Sequence, residues 1–431
     1  MQYAKIRRNR RKIKIQKLAI ASLLIGFLSA MLALALKRLT EYYEHVLFEK
    51  AVGSTVFFLV FPLFALSVIY FLRRYLFHNK ENKGIREIFT SIKSRKNLPI
   101  YKIPSHFVNG LLTVAFGGST GIEVSTVVAS ATVGSVAQQK ANFMHRYKAE
   151  LICAGIAAGI TALFTSPFAG ILFAYEVIVK KVNSIFLLTT SIAVGVAMAL
   201  LFVTDETPLF QTSISTWHYR AIPWFILLGV IAGLNSVYLT QCVVKIKKRF
   251  STIRKFYIRV LPSALLLGMI LVIFPEIYGD GYHLIHKLLA EADQMVLTLT
   301  VGLTLLGIII LKPIATALTL AGGGDGGVFA PGIFIGGVIG CLTALVLNKY
   351  FNADVIPLNF LIVGMAAMLS ACIHAPFTAL FLVCGVTGNY TLFIPILISC
   401  IVAKYTAQAV FPYTVYTMPA NKENLNYADK K

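Results

Sequence analysis

Charge is scarce in this chain, and acidic charge is the scarcest. Only 13% of the 431 residues are charged, and 18 acids stand against 40 lysines and arginines. Soluble domains carry about 25% charged residues, so a soluble globular protein is excluded. Disorder is excluded as well, because 57% of the residues are hydrophobic and polar low-complexity runs are missing. Cysteine is sparse too. Cys153, Cys242, Cys341, Cys372, Cys384 and Cys400 lie in or beside apolar segments, with no Cys-x-x-Cys pair. That removes a disulfide framework and a zinc site. There is no His-Glu-x-x-His, no Gly-x-Ser-x-Gly and no phosphate loop, since Ala321–Val328 lacks the Gly-Lys-Ser/Thr ending. His283 and His286 read as a solvated pair in a polar loop. No nucleophile–base or metal-ligand set is left, so neither an enzyme nor a cofactor is expected.

What is present is apolar sequence in long runs. A bilayer span needs about 20 apolar residues. Runs of that kind lie at Leu18–Leu36, Val52–Leu72, Ser184–Val203, Ile222–Val244, Leu261–Ile277, Val296–Ala321, Val355–Val386 and Leu392–Phe411. Shorter, Gly-broken pieces lie at Leu111–Val136, Cys153–Val179 and Val328–Leu347. Roughly ten to twelve helical pieces are expected, several of them interrupted. Period-two alternation is missing, which argues against a membrane barrel. The fold class is an all-α integral membrane protein with broken helices.

The formal net charge is +22. Such an excess can bind nucleic acid, but here the bases cluster between the apolar runs. Lys5, Arg7, Arg8, Arg10, Arg11, Lys12, Lys14 and Lys17 precede the first run without an acid, and Arg73–Lys96, Lys140–Lys148 and Lys245–Arg259 are basic connectors. Positive loops face the cytoplasm. A lipid bilayer is therefore the expected partner, not nucleic acid. The N-terminus is expected in the cytoplasm, with the protein in the plasma (inner) membrane. A signal peptide is disfavoured because no small-residue cleavage site follows the run.

The sequence also repeats itself. Gly118-Ser119-Thr120-Gly121-Ile122-Glu123-Val124-Ser125 resembles Gly324-Asp325-Gly326-Gly327-Val328-Phe329-Ala330-Pro331, 206 positions later, and Gly134 pairs with Gly340 at the same offset. Ser166–Phe173 resembles Ala375–Leu382 at an offset of 209. Each half thus has a Gly-rich loop opening an apolar helix. Glycine lets backbone amides approach a ligand, and a helix N-terminus attracts anions. Two such ends meeting near the bilayer midplane make a transporter ion site. Glu123 stands at one of these helix starts. An intramembrane carboxylate is costly and points to function. It can mimic a bound anion and leave when protonated or displaced. Asp325, beside the other loop, reads as a capping or turn residue. A cation-coupled solute transporter also fits the repeat, but it needs more intramembrane carboxylates than the chain has.

These residues resemble the CLC family of chloride channels and chloride/proton antiporters, over roughly Leu18 to Met418. Gly327-Val328-Phe329-Ala330-Pro331 resembles the family's G-x-F-x-P element. Gly121-Ile122-Glu123-Val124-Ser125 resembles G-[KR]-E-G-P, keeping the first Gly and the Glu. Pro275–Tyr282, Pro167–Glu176 and Pro376–Tyr390 also have a family look. The resemblance implies a CLC-type inverted repeat, a homodimer and one anion pathway per subunit. It implies Glu123 as the gate, the amides of Val328 and Phe329 at a central anion site, amides around Glu123 at Ile122 and Val124 for an outer site, and the hydroxyl of Tyr416 at the inner end. The family's G-S-G-I-P element falls on Asn82-Lys83-Gly84-Ile85-Arg86, so Lys83 replaces the serine donor and can offer an ammonium to the anion. This leaves chloride, nitrate or fluoride open as the anion. Family antiporters commonly carry a glutamate where this chain has Val177, as channels do not. Glu176 is read as structural, paired at helical spacing with Lys180. Chloride transport is therefore expected to be passive and channel-like, gated by Glu123. The alternative is a chloride/proton antiporter with a non-standard proton route. The expected organisation is a basic N-terminus at 1–17, repeat halves at 18–205 and 206–412, and an inner tyrosine segment with a short tail at 413–431, without a regulatory domain.

Overall fold

The computed structural model describes residues 2–77, 82–94, 97–139, 142–214, 216–253 and 256–418. Among them are sixteen α-helices and no strand. The first half holds α1 (Gln2–Gly53), α2 (Val56–Phe71), α3 (Ile85–Ser94), α4 (Lys102–Ala115), α5 (Glu123–Gln139), α6 (Lys148–Phe164), α7 (Pro167–Phe173) and α8 (Ser184–Val203). The second holds α9 (Ile222–Ser251), α10 (Phe256–Ile273), α11 (Tyr282–Glu291), α12 (Leu299–Ala321), α13 (Phe329–Phe351), α14 (Pro357–Ile373), α15 (Pro376–Thr387) and α16 (Phe393–Val410). Eight helices are long and apolar enough to cross a bilayer, and four more are apolar but shorter. The all-α membrane fold with broken helices is as expected. The polar tail, 419–431, lies outside the described residues.

The breaks divide more finely than the hydropathy runs. The run Val355–Val386 is two helices, because His374 turns left-handed (φ 56°) and Pro376 starts α15. Cys153–Val179 splits in the same way, with Thr165 left-handed (φ 52°) and Pro167 starting α7. Proline lacks an N–H and favours the first helical turn, so each Pro marks a new helix inside continuous apolar sequence. The two breaks lie 209 positions apart, which is the offset of the sequence repeat. At the other end, α1 joins the basic arm to the first apolar run without a break. At 1.5 Å per residue it is about 80 Å long, so it extends well beyond a bilayer core of about 30 Å.

Equivalent glycines set the helix crossings. A Cβ on Gly134 of α5 would lie 2.2 Å from the Leu151 carbonyl of α6, and one on Gly340 of α13 would lie 2.0 Å from the Phe360 carbonyl of α14. The two helix pairs therefore pack backbone against backbone, the small-residue packing that membranes favour. This holds α5 and α13, whose N-termini carry the site, in the buried centre.

Candidate anion site

The loops before α5 and α13 touch. Gly121 and Gly327 form an isolated antiparallel bridge, and the Thr120 hydroxyl donates to the Gly327 carbonyl at 2.8 Å. The Ser119 N–H donates to Thr319 Oγ1 at 3.0 Å, and the Asp325 N–H donates to Thr113 Oγ1 at 2.9 Å. These two bonds are the same bond in the two repeats. Each loop is anchored by the threonine on the helix preceding the other, so the two helix starts, each with a partial positive charge, are held together.

Glu123 is the first residue of α5 and is 2% exposed. Its Oε1 accepts a hydrogen bond from Tyr282 Oη at 3.1 Å, while Oε2 has no partner. The carboxylate curls back over Gly121, where a Cβ would lie 2.0 Å from Oε2 and 2.6 Å from Cβ of Ala330. Only glycine fits beneath it. A small cavity lined by Lys37, Glu41, Ile122, Glu123, Asp280 and Tyr282 adjoins this side.

Tyr282 was not among the sequence candidates, although it ends the Pro275–Tyr282 segment. Buried bonds aim it. The Tyr282 N–H donates to Asp280 Oδ1 at 2.8 Å, the Asp280 N–H donates to Glu44 Oε1 at 3.1 Å, and the buried Lys312 ammonium donates to the carbonyls of Ile277 and Gly279, both at 3.0 Å. His283 and His286 are not in a loop. They lie on α11, with the His283 ring tilted against Phe48 at 4.3 Å and the His286 ring 5.2 Å from Phe210.

On the other side of the paired loops, the Val328 N–H donates to the hydroxyl of Tyr416 at 3.1 Å. Phe329 is fully buried, and its ring lies 6.1 Å from Tyr416 and 5.5 Å from Phe173. A Cβ on Gly327 would strike Val124 and the Tyr416 hydroxyl, and one on Gly84 would lie 3.2 Å from Val124. Val124, Val328 and Tyr416 thus converge, with Gly84 behind Val124. Ile122 stays on the Glu123 side. Lys83 is exposed, and its N–H donates to Glu87 Oε1 at 2.5 Å. Gly84 is the residue of this segment that lies against Val124. Arg86 holds the tyrosine segment, donating to the Val415 carbonyl at 2.9 Å.

Two other expectations need correction. Asp325 is more than a turn residue. Its side chain is buried, pairs with Arg73 at 3.3 Å and accepts a hydrogen bond from Asn82. Arg73 reads in the sequence as one of a run of loop bases, so nothing local marks it as buried. Glu176 does not depend on Lys180. Residues Ala174–Val179 form a π-turn and Lys180 is left-handed, which removes the four-residue helical register. The carboxylate turns across the repeat instead, accepting from the N–H and hydroxyl of Thr378 at 2.7 and 2.6 Å.

Residues 64–408 match the family model for the voltage gated chloride channel. The H(+)/Cl(-) exchange transporter ClcA of Salmonella arizonae is 27% identical, covering 94% of this chain and 90% of its own. The ClcA of Salmonella paratyphi B is also 27% identical, covering 93% and 88%. A slow cyanobacterial Cl−/H+ antiporter superposes with a TM-score of 0.79 at 20% identity, over 96% of this chain and 99% of its own. A CLC-type fluoride/proton antiporter superposes at 0.76 and 22% identity, over 94% and 98%. The match spans most of the chain and includes both loops, so the chain belongs to the voltage gated chloride channel (CLC) family of membrane anion transport proteins.

Proposed function

We infer that this protein is a proton-coupled chloride exchanger in which Glu123 is both the gate and the proton carrier. The observation that carries the reading is the Glu123 carboxylate itself. It is buried at a helix N-terminus, held by one tyrosine bond, with its second oxygen unpartnered. A carboxylate there occupies the place an anion would take, and protonation or anion entry releases it. Backbone N–H groups of Ile122, Val124, Val328 and Phe329 and the Tyr416 hydroxyl are the donors along the path, because dipoles aimed at an anion replace part of its water shell. No covalent chemistry is needed. Lys83 contributes charge near the inner mouth rather than a ligand.

The passive, channel-like expectation gives way here. Val177 removes one titratable group, but the curated relatives described above are named H(+)/Cl(-) exchange transporters, and this favours coupling. The alternating halves are residues 18–205 and 206–412, with a cytoplasmic N-terminus and a homodimeric assembly in the plasma membrane. The test is a chloride gradient across sealed proteoliposomes with internal pH recorded. Uphill proton movement that disappears in Glu123→Gln supports exchange. Chloride flux with no proton movement returns the protein to the channel reading favoured by Val177. Light scattering of the detergent-purified protein tests the dimer.

A further inference from the structure

Coupled transport needs a group that takes a proton from the inner solution and hands it to Glu123. Valine 177 does not titrate, and Glu176 is tied to Thr378. A different set of buried polar groups lies on α4. Lys102, Ser105, His106, Asn109 and Thr113 are all buried, and their spacing of three or four residues puts them on one helix face. From His106 to Thr113 the stripe runs about 10 Å along the helix. It starts at the basic 82–94 segment, where Lys102 Nζ bonds Glu87 Oε1 at 2.9 Å and Asn82 Oδ1 at 2.8 Å. It ends at Thr113, which anchors the Asp325 loop, and α4 then leads into the loop that carries Glu123.

His106 and Asp325 are the titratable pair within this stripe. His106 Nδ1 stands 3.6 Å from Asp325 Oδ2, beyond a direct hydrogen bond. His106 is 1% exposed, and neither ring nitrogen has a partner. Asn109 Oδ1, Ser125 Oγ and Arg73 Nε are also buried without partners. Ser125 packs where α4 carries Gly110, two residues along α5 from Glu123. Buried polar atoms left open by the protein are the groups that bind ordered water. The charged groups facing His106 are Asp325, Lys102, Glu87 and Arg73.

We propose that His106 and Asp325 together are the inner proton-loading site of this exchanger, replacing the carboxylate missing at position 177. A proton from the inner solution binds His106 Nδ1 or Asp325 Oδ2. It passes along the row past Asn109 and Ser125 and forms an O–H bond at Glu123 Oε2. The pair returns to its starting state, and no electrons move. This rests on the exchange reading above, and the test separates the two.

Wild type, His106→Gln and Asp325→Asn are reconstituted as full chains in proteoliposomes, and chloride and proton fluxes are recorded together under a chloride gradient. The expected result is that His106→Gln keeps chloride flux within about twofold while uphill proton movement falls at least about tenfold, as expected for loss of a proton-transfer group. Asp325→Asn should show the same split. If it does not fold, because Arg73 loses its counter-charge, His106→Gln decides alone, since it leaves that pair intact. Wild-type proton coupling in His106→Gln overturns the proposal. So does an equal loss of both fluxes, which marks a structural role. Absence of proton movement in the wild type overturns the exchange reading, and the loading site with it.

Discussion

The hydroxyl of Tyr282 reaches across from the start of α11 and donates to Oε1 of Glu123 at 3.1 Å. The bond links a residue of the second half to the buried carboxylate of the first. It holds the carboxylate at the start of α5, the place that the proposed function gives to the anion.

Replacing the carboxylate removes the competitor. Glu123→Gln is expected to leave anion flux nearly independent of outer pH and to abolish coupled proton movement. Chloride efflux from proteoliposomes, measured across a series of outer pH values, checks this. Wild-type pH dependence in the variant would remove Glu123 from the gate.

Tyr282→Phe loosens the carboxylate without changing its charge. A hydrogen bond to a charged group contributes about 1.5–3 kcal/mol, and about 1.4 kcal/mol corresponds to tenfold in affinity. With the gate less firmly held, apparent anion affinity should rise by about tenfold or more. Calorimetric titration with chloride reads it, and an unchanged affinity would mean that the bond does not oppose the anion.

The Phe329 amide is tested through its backbone. Phe329 is the first residue of α13, a position where proline is tolerated because its N–H has no helical partner. Phe329→Pro removes that donor and should weaken anion binding by about tenfold, the loss of one charge-assisted donor, in protein shown to be folded by its melting transition. Unaltered binding in the folded variant would place the anion elsewhere.

The helix crossing makes a stability prediction. In Gly340→Ala the new methyl meets the Phe360 carbonyl at 2.0 Å, whereas a Cβ at Gly195 on α8 meets nothing within 4 Å. Overpacking against rigid backbone costs about 1–3 kcal/mol, so Gly340→Ala should melt earlier in detergent. Gly195→Ala should be neutral or gain up to about 1 kcal/mol, as for Gly→Ala in a helix. Thermal unfolding of the two variants side by side separates packing from helix propensity.

The membrane class and the repeat are visible in one dimension, and so is the carboxylate proposed as the gate. Hydropathy marks apolar runs because a bilayer rewards them residue by residue. The loop at Gly121–Ser125 is recognisable because backbone approach requires glycine, and Glu123 stands out because a carboxylate in apolar sequence is rare. Tertiary structure decided what depends on partners distant in the chain. Tyr282 meets Glu123 only because Lys312, Asp280 and Glu44 fix the loop before α11. Arg73 and Asp325, 252 positions apart in the sequence, look like a loop base and a turn acid until folding buries them as a pair at 3.3 Å. Helical spacing in the sequence pairs Glu176 with Lys180, but a π-turn changes the register and delivers the carboxylate to Thr378. A run of residues specifies its own hydropathy and local turns. Which buried charge meets which partner is settled only when two halves, each incomplete alone, close on one another.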